Sequence, residues 1–225
     1  METVVLTMEY PLVVYTSALR DDIGISRKHI SSLGADRKWD SLLEKIRSDS
    51  SLVNTCRLPE NKDSPVDLNT PLHWAAIGSA PSDVFENLIA LNSARSLKNA
   101  DGKTPYDIAK ENGLGDSIED MLELPQKVKE NTKYMDKMEK GLKKAIEGRV
   151  ADLIEKNGQQ LPQLAFLYEF GELWYAVPGM YGGFSVEEHA KGVQASSWCR
   201  VAGGSGQRHV IDRDGNVELV EEGFV

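Results

Sequence analysis

The chain has 225 residues, of which 40% are hydrophobic and 27% charged, a balance that excludes wholesale disorder and fits two small domains. Its net charge of −9 argues against nonspecific nucleic-acid binding, which needs a basic surface. No stretch approaches the ~20 apolar residues of a membrane span. The two cysteines, Cys56 and Cys199, lie far apart without metal-ligand spacing. We therefore expect a cytoplasmic or nuclear protein with no metal, no cofactor, no nucleic-acid partner and no membrane partner.

The first third of the chain carries weak signals, and we treat residues 1–35 as an N-terminal extension. Alternating apolar residues over 4–8 and β-prone residues over 12–15 predict a short strand or an extended segment. The next segment predicts a helix over 37–47, with Asp36 as its N-cap. Its apolar residues fall at helical spacing: Trp39, Leu42, Leu43 and Ile46.

The most informative pattern is shared by residues 69–76 and 101–109. The first reads Asn-Thr-Pro-Leu-His-Trp-Ala-Ala, and the second reads Asp-Gly-Lys-Thr-Pro-Tyr-Asp-Ile-Ala, with Thr104 following Thr70 by 34 residues. In each, a polar turn precedes a Thr-Pro pair that begins a helix, and small alanines permit close packing. This motif, at a period near ~33 residues, resembles the ankyrin repeat. The resemblance implies paired helices and binding of macromolecules rather than catalysis.

The resemblance extends to the elements around these motifs. A second helix is predicted over 82–91 with Ser82 as its cap, and Gly113 is predicted to end the first helix of the closing repeat. The helix over 37–47 is interpreted as part of a degenerate first repeat, since terminal repeats of such arrays are atypical. We thus expect an array of about three ankyrin repeats over 36–124.

The family resemblance also assigns roles to single residues. A histidine at the position of His73 ties neighbouring loops by hydrogen bonds in ankyrin repeats, and Trp74 is expected to pack between repeats. Ankyrin proteins bind protein partners through their hairpin tips and the exposed side of their first helices. In this chain those positions are Asp67, Asn69, Ile77, Ala100, Asp101, Lys103, Glu111 and Asn112. The alternative for each of them is a solvated surface without a partner.

A long amphipathic helix is predicted after Pro125 and ends near Asn157. Its apolar residues recur every three or four positions: Met135, Met138, Leu142, Ile146, Val150, Leu153 and Ile154. Lysines alternate with acidic residues along it, which favours a solvated face over a membrane-surface or calmodulin-target helix. We interpret it as a connecting helix.

The last third, residues 161–225, predicts an antiparallel meander of four or five short strands. The long helix and residues 161–170 are expected to cover its apolar face. Through segments such as 177–184 and 198–201 it resembles a C-terminal segment of ankyrin-bearing proteins of fungi and other eukaryotic microbes. That resemblance implies no function.

Three interpretations of this β module remain open. Cys199 between His189 and His209, with Asp212 and Asp214 nearby, permits a thiol hydrolase or transferase. Residues 203–208 permit phosphate binding, although a phosphate loop normally joins a strand to a helix. In the favoured interpretation, glycines form hairpins, and large aromatic residues form a core or a shallow groove: Trp174, Tyr175, Tyr181, Phe184 and Trp198.

The sequence therefore predicts an α+β fold: a short ankyrin helical array, a long connecting helix, and a small C-terminal antiparallel β domain. The predicted divisions are 1–35, 36–124, 125–160 and 161–225. The expected function is that of a non-enzymatic adaptor that binds a protein partner. The alternative is a β module that acts as a thiol enzyme or small-ligand sensor and is targeted by the ankyrin segment.

Overall fold

The protein has an α+β fold, as the sequence predicts. A computed structural model describes residues 10–200 and 204–223, so the strand predicted over 4–8 lies outside the described residues. The described residues form eight α-helices and a C-terminal antiparallel sheet of five strands. Contacts divide the chain into two compact units: a helical unit, Val13–Gln126, and a sheet unit that contains residues 10–12, 127–200 and 204–223.

The helical unit consists of three helix pairs. Their bounds are α1 Asp21–Ala35, α2 Trp39–Ser48, α3 Pro71–Ile77, α4 Ser82–Ala90, α5 Pro105–Glu111 and α6 Asp116–Leu122. The first helices pack in the order α1, α3, α5, and the second helices pack in the order α2, α4, α6. Between these two layers lies a core of fully buried aliphatic and aromatic side chains that includes Leu42, Leu72, Phe85 and Leu88.

The same turn ends the first helix of every pair. Arg37, Ser79 and Gly113 each adopt a left-handed backbone conformation, with φ of 57°, 50° and 63°. The next amide N–H donates to a carbonyl five positions back, in the pattern of a Schellman motif. These bonds join Lys38 to Leu33 at 2.9 Å, Ala80 to Ala75 at 2.9 Å, and Leu114 to Ala109 at 3.1 Å.

The start of the helical unit differs from the prediction. Residues 21–35 form α1 rather than an extension, and Ile30 and Leu33 of this helix are buried in the core. Asp36 is not an N-cap but follows the last residue of α1, while α2 begins at Trp39. The predicted helix over 37–47 therefore corresponds to α2, the second helix of a pair whose first helix is α1.

Two glycines allow neighbouring helix pairs to approach closely. A Cβ atom at Gly34 of α1 would lie 2.7 Å from Cβ of Trp74, and one at Gly78 would lie 2.7 Å from the ring of Trp39. Any residue larger than glycine at position 34 or 78 would therefore overlap the side chain of Trp74 or Trp39. Trp74 thus packs between neighbouring helix pairs, as predicted.

The sheet unit contains two helices and a meander. Its elements are α7 Gln126–Asn157, α8 Leu164–Phe170, β1 Leu173–Val177, β2 Gly182–His189, β3 Gly192–Cys199, β4 Ser205–Asp212 and β5 Val217–Gly223. The strands pair in chain order, and each neighbouring pair is antiparallel. The predicted meander and the predicted end of the long helix are both confirmed.

The helices cover one face of the sheet, as expected. On this face Tyr175 and Phe184 are cross-strand neighbours and fully buried. The Tyr175 hydroxyl donates to the carbonyl of Gln160 at 3.0 Å. Gly141 of α7 approaches Ile211 of β4. None of the helices in residues 10–200 and 204–223 has an apolar stretch long enough to cross a bilayer.

The packing of α7 against the sheet can be tested by replacing each of two glycines of α7 with alanine. A Cβ atom at Gly141 would lie 2.5 Å from Cγ2 of Ile211 and 2.9 Å from the carbonyl oxygen of Gly215, whereas one at Gly148 would meet nothing within 4 Å. We expect Gly141→Ala to lower the free energy of unfolding by roughly 1–3 kcal/mol through overpacking. We expect Gly148→Ala to raise it by roughly 0.5–1 kcal/mol, because alanine favours the helix. Urea denaturation measures both, and a stabilising Gly141→Ala would contradict the close contact.

Candidate partner-binding surface

His73 joins the start of α3 to the loop that precedes α5. Its Nδ1 atom accepts a hydrogen bond from the amide N–H of Thr70 at 3.2 Å and lies 2.8 Å from the Thr70 hydroxyl. Because that amide can only donate, Nδ1 carries no proton, and Nε2–H donates to the carbonyl of Lys103 at 3.1 Å. The predicted structural role of His73 is confirmed.

The ring is kept neutral by its position. His73 is fully buried, and this burial lowers the pKa of its imidazole to about 4. A proton on Nδ1 would also face the N–H of Thr70. In α5 the equivalent position holds Asp107, whose carboxylate accepts from the backbone N–H and the hydroxyl of Thr104 at 2.8 and 2.7 Å. The helices α3 and α5 thus close the same capping box with different side chains.

A second network fixes the loops between the helix pairs. The side-chain amide of Asn99 donates to Oδ1 of Asn69 at 3.0 Å, and its own Oδ1 accepts from the backbone N–H groups of Asp101 and Lys103, both at 3.0 Å. The backbone N–H of Ala100 donates to the carbonyl of Asp67 at 2.8 Å. The loops before α3 and α5 therefore form one hydrogen-bonded unit.

Asn69 does not belong to an accessible surface. Only 7% of this residue is exposed, and its side chain points to Asn99. The prediction of Asn69 as a partner-binding residue, which rests on the resemblance to ankyrin hairpin tips, is therefore wrong. The neighbouring Leu68 has a φ of 56°, and this left-handed conformation accompanies the inward turn of Asn69.

The remaining predicted residues lie at the surface or at its margin. Lys103 and Glu111 form an ion pair at 2.6 Å, and the Asn112 side chain donates to the carbonyl of Ala76 at 3.1 Å. Asp67, Ile77, Ala100 and Asp101 are exposed to solvent. Ile77, which is 38% exposed, is the largest apolar side chain among them. We call the following set the tip surface: Asp67, Ile77, Ala100, Asp101, Lys103, Glu111 and Asn112.

The residues proposed for thiol catalysis are not brought together. Cys199 pairs with Gly182 at one end of the β2–β3 hairpin, whereas His189 pairs with Gly192 at the other. On β4, His209 lies four residues from the partner of Cys199, which is about 13 Å at strand spacing. A nucleophile and its base need a separation near ~3 Å. The thiol of Cys199 donates instead to the carbonyl of Met180 at 2.9 Å.

The proposed phosphate loop joins β3 to β4, and its residues 201–203 lie outside the described part of the chain. Its cation, Arg208, is paired with Glu221 at 2.6 Å. Asp212 organises the following turn, because its carboxylate accepts hydrogen bonds from the backbone N–H groups of Asp214 and Asn216 and from the Asn216 side chain. The hydrogen bonds from Asn216 and the backbone hold the pKa of this carboxyl below its usual value. Across residues 10–200 and 204–223, no His, Cys, Asp and Glu side chains cluster in a way that could hold a metal ion.

The aromatic residues of the β module have divided roles. Tyr175 and Phe184 are core residues, whereas Tyr181 is 75% exposed and Trp198 is 37% exposed. Arg200 is not among the residues predicted from the sequence, and its guanidinium lies 4.8 Å from the centre of the Trp198 ring. Its spacing of two residues from Trp198 was an available signal, because such residues share one face of an extended strand.

Comparisons with known proteins give no relative for this chain. No protein-family model matches it. Searches of the curated proteins and of the solved structures also give no significant match.

The buried imidazole of His73 predicts a pH dependence of stability. Its pKa is about 4 in the folded state against 6.5 for the free side chain, so below pH 6.5 the unfolded chain binds a proton that the folded chain does not. The contribution of His73 should therefore fall by roughly 3 kcal/mol as the pH drops from 7 to 4. We expect the stability difference between wild type and His73→Gln, measured by urea denaturation, to shrink over this range.

The matched control is His29→Gln, which removes an exposed imidazole on α1. Added to both wild type and His73→Gln, it should leave their stability difference, and the decrease of that difference toward pH 4, unchanged. A constant difference between wild type and His73→Gln from pH 7 to 4 would contradict the assignment of a neutral, buried imidazole.

Proposed function

We propose that the helical unit is an ankyrin-type array and that the protein acts as a non-enzymatic adaptor, binding a protein partner through the tip surface. The observation that carries this proposal is that the loop tips are exposed while hydrogen bonds hold their backbone in place. Asp101 and Ala100 are exposed, yet their backbone is fixed by hydrogen bonds to Asn99 and Asp67. A surface held in its bound form loses less entropy on association than a mobile loop.

The chemistry of the tip surface supports a protein as the partner. Ile77 offers an apolar contact, while Asp67 and Asp101 occupy equivalent positions of the two loops and place two carboxylates at the tips. Interfaces commonly combine a small apolar centre with a charged rim. We infer that the partner presents an apolar side chain to Ile77 and basic residues to the tips.

The two thiols support a reducing compartment, the cytoplasm or the nucleus. Cys56 and Cys199 are both free. Burial raises the pKa of the Cys56 thiol to about 12, so this cysteine is an inert core residue.

Charge reversal at one tip tests the adaptor proposal. We expect Asp101→Arg to reduce partner recovery by about tenfold or more, because the variant sets a cation against a basic partner surface. Quantitative mass spectrometry of pull-downs from lysate of the source cells measures this recovery. Circular dichroism and thermal unfolding establish that each variant is folded.

Glu86→Arg is the matched control, since it makes the same charge change at an exposed position on α4. A partner retained by Glu86→Arg and lost from Asp101→Arg supports the proposal. Proteins recovered equally with both variants, and also with Ile77→Ser, would exclude the tip surface as the binding site.

A further inference from the structure

The second face of the sheet, directed away from Tyr175, combines small residues with two tryptophans. Side chains alternate along each strand, so the cross-strand pairs define its rows. One row contains Ala176, Gly183, Trp198 and Gly206, and the next contains Trp174, Ser185, Ser196 and Arg208. The centre of this face is therefore shallow, and the large side chains stand out from it.

A glycine forms the floor between the two indoles. Gly183 pairs directly with Trp198, and a Cβ atom at Gly183 would lie 3.0 Å from Cζ2 of Trp174. The Trp174 ring thus extends diagonally over the glycine backbone. The Trp198 ring stands on its other side with more than a third of its area exposed.

A tyrosine and an arginine complete the cluster at the end of the sheet. The backbone N–H of Arg200 donates to the carbonyl of Tyr181 at 3.4 Å, which places the two residues side by side beyond the last strand pair. Tyr181 is 75% exposed and has a φ of 55°. The Arg200 guanidinium covers part of the Trp198 ring. We name Trp174, Tyr181, Trp198 and Arg200 the aromatic patch.

The charge of the aromatic patch is not balanced locally. Within residues 10–200 and 204–223, no carboxylate forms an ion pair with Arg200, whereas Arg208 on the same face is paired with Glu221 at 2.6 Å. An arginine stacked on an indole keeps the edge of its guanidinium open for a carboxylate. The patch therefore complements a ligand that carries an apolar surface and a negative charge.

From this geometry we propose that the aromatic patch docks an extended, acidic, proline-containing peptide of a partner protein. Proline-rich segments adopt a preformed extended helix whose rings fit between aromatic side chains such as Tyr181 and Trp198. A glutamate or aspartate of the peptide pairs with Arg200. A second copy of this chain is a poor occupant, because a two-fold contact would bring the two Arg200 side chains together.

The site is distinct from the tip surface, so the two proposals fail independently. The probes are short fluorescein-labelled peptides of proline and glutamate, with matched peptides that carry glutamine or lysine instead of glutamate. Fluorescence polarisation measures their affinity for the full chain. We expect the glutamate peptide to bind about tenfold more tightly than the glutamine peptide. Arg200→Gln should abolish this preference, and Tyr181→Ala should weaken both peptides without affecting folding, since Tyr181 is mostly exposed.

Arg213→Gln is the matched control, because Arg213 also stacks on an aromatic ring, at 5.4 Å from the centre of Tyr134. It should leave both affinities unchanged. Three results would overturn the proposal: no binding of the glutamate peptide up to about 1 mM, equal binding of the glutamate and lysine peptides, or equal losses in Arg200→Gln and Arg213→Gln. Self-association in sedimentation that Trp198→Ala abolishes would identify a second copy as the occupant instead.

Discussion

The left-handed turn that ends the first helix of each pair is the constraint on which the helical unit depends. Gly113 adopts this conformation without strain, whereas at Arg37 and Ser79 it costs about 1–2 kcal/mol per residue. The buried layers that the turn makes possible offset this cost. Because the same turn recurs three times, the first helices stack in one layer, and this stacking brings Trp74 against Gly34.

The hydrogen bonds of His73 and Asn99 fix the loops relative to the stacked helices. His73 is fixed by the helix that it caps, and through Lys103 it holds the next loop at a defined distance. Asn99 then links that loop back to Asn69. The tips are thus positioned by buried groups behind them, so substitutions at the exposed ends can alter binding without altering the fold.

The sequence predicts the elements whose signals are local and misses those that depend on distant residues. The Thr-Pro caps locate α3 and α5, and glycine-containing turns locate the hairpins of the sheet. In contrast, α1 has no such cap, and its Gly34, which weakens a helical pattern, is explained only by Trp74, 40 residues later. Asn69 likewise turns inward toward Asn99, 30 residues away. The exposure of the loop tips could therefore be predicted in outline but not residue by residue.

The sheet shows the same limit in its aromatic residues. Composition indicates that a small sheet needs large side chains for its core, but only the cross-strand pairing decides which of them are inside. Tyr175 and Phe184 contribute their full burial to stability, whereas Trp198 retains more than a third of its exposed area. The hydrophobic free energy of that area is not used in folding and is available for association. Tryptophan, tyrosine and arginine are also the residue types that most often dominate binding energy at interfaces. The division of the aromatic residues between the two faces thus separates the part of the sheet that stabilises the fold from the part that can recognise a ligand.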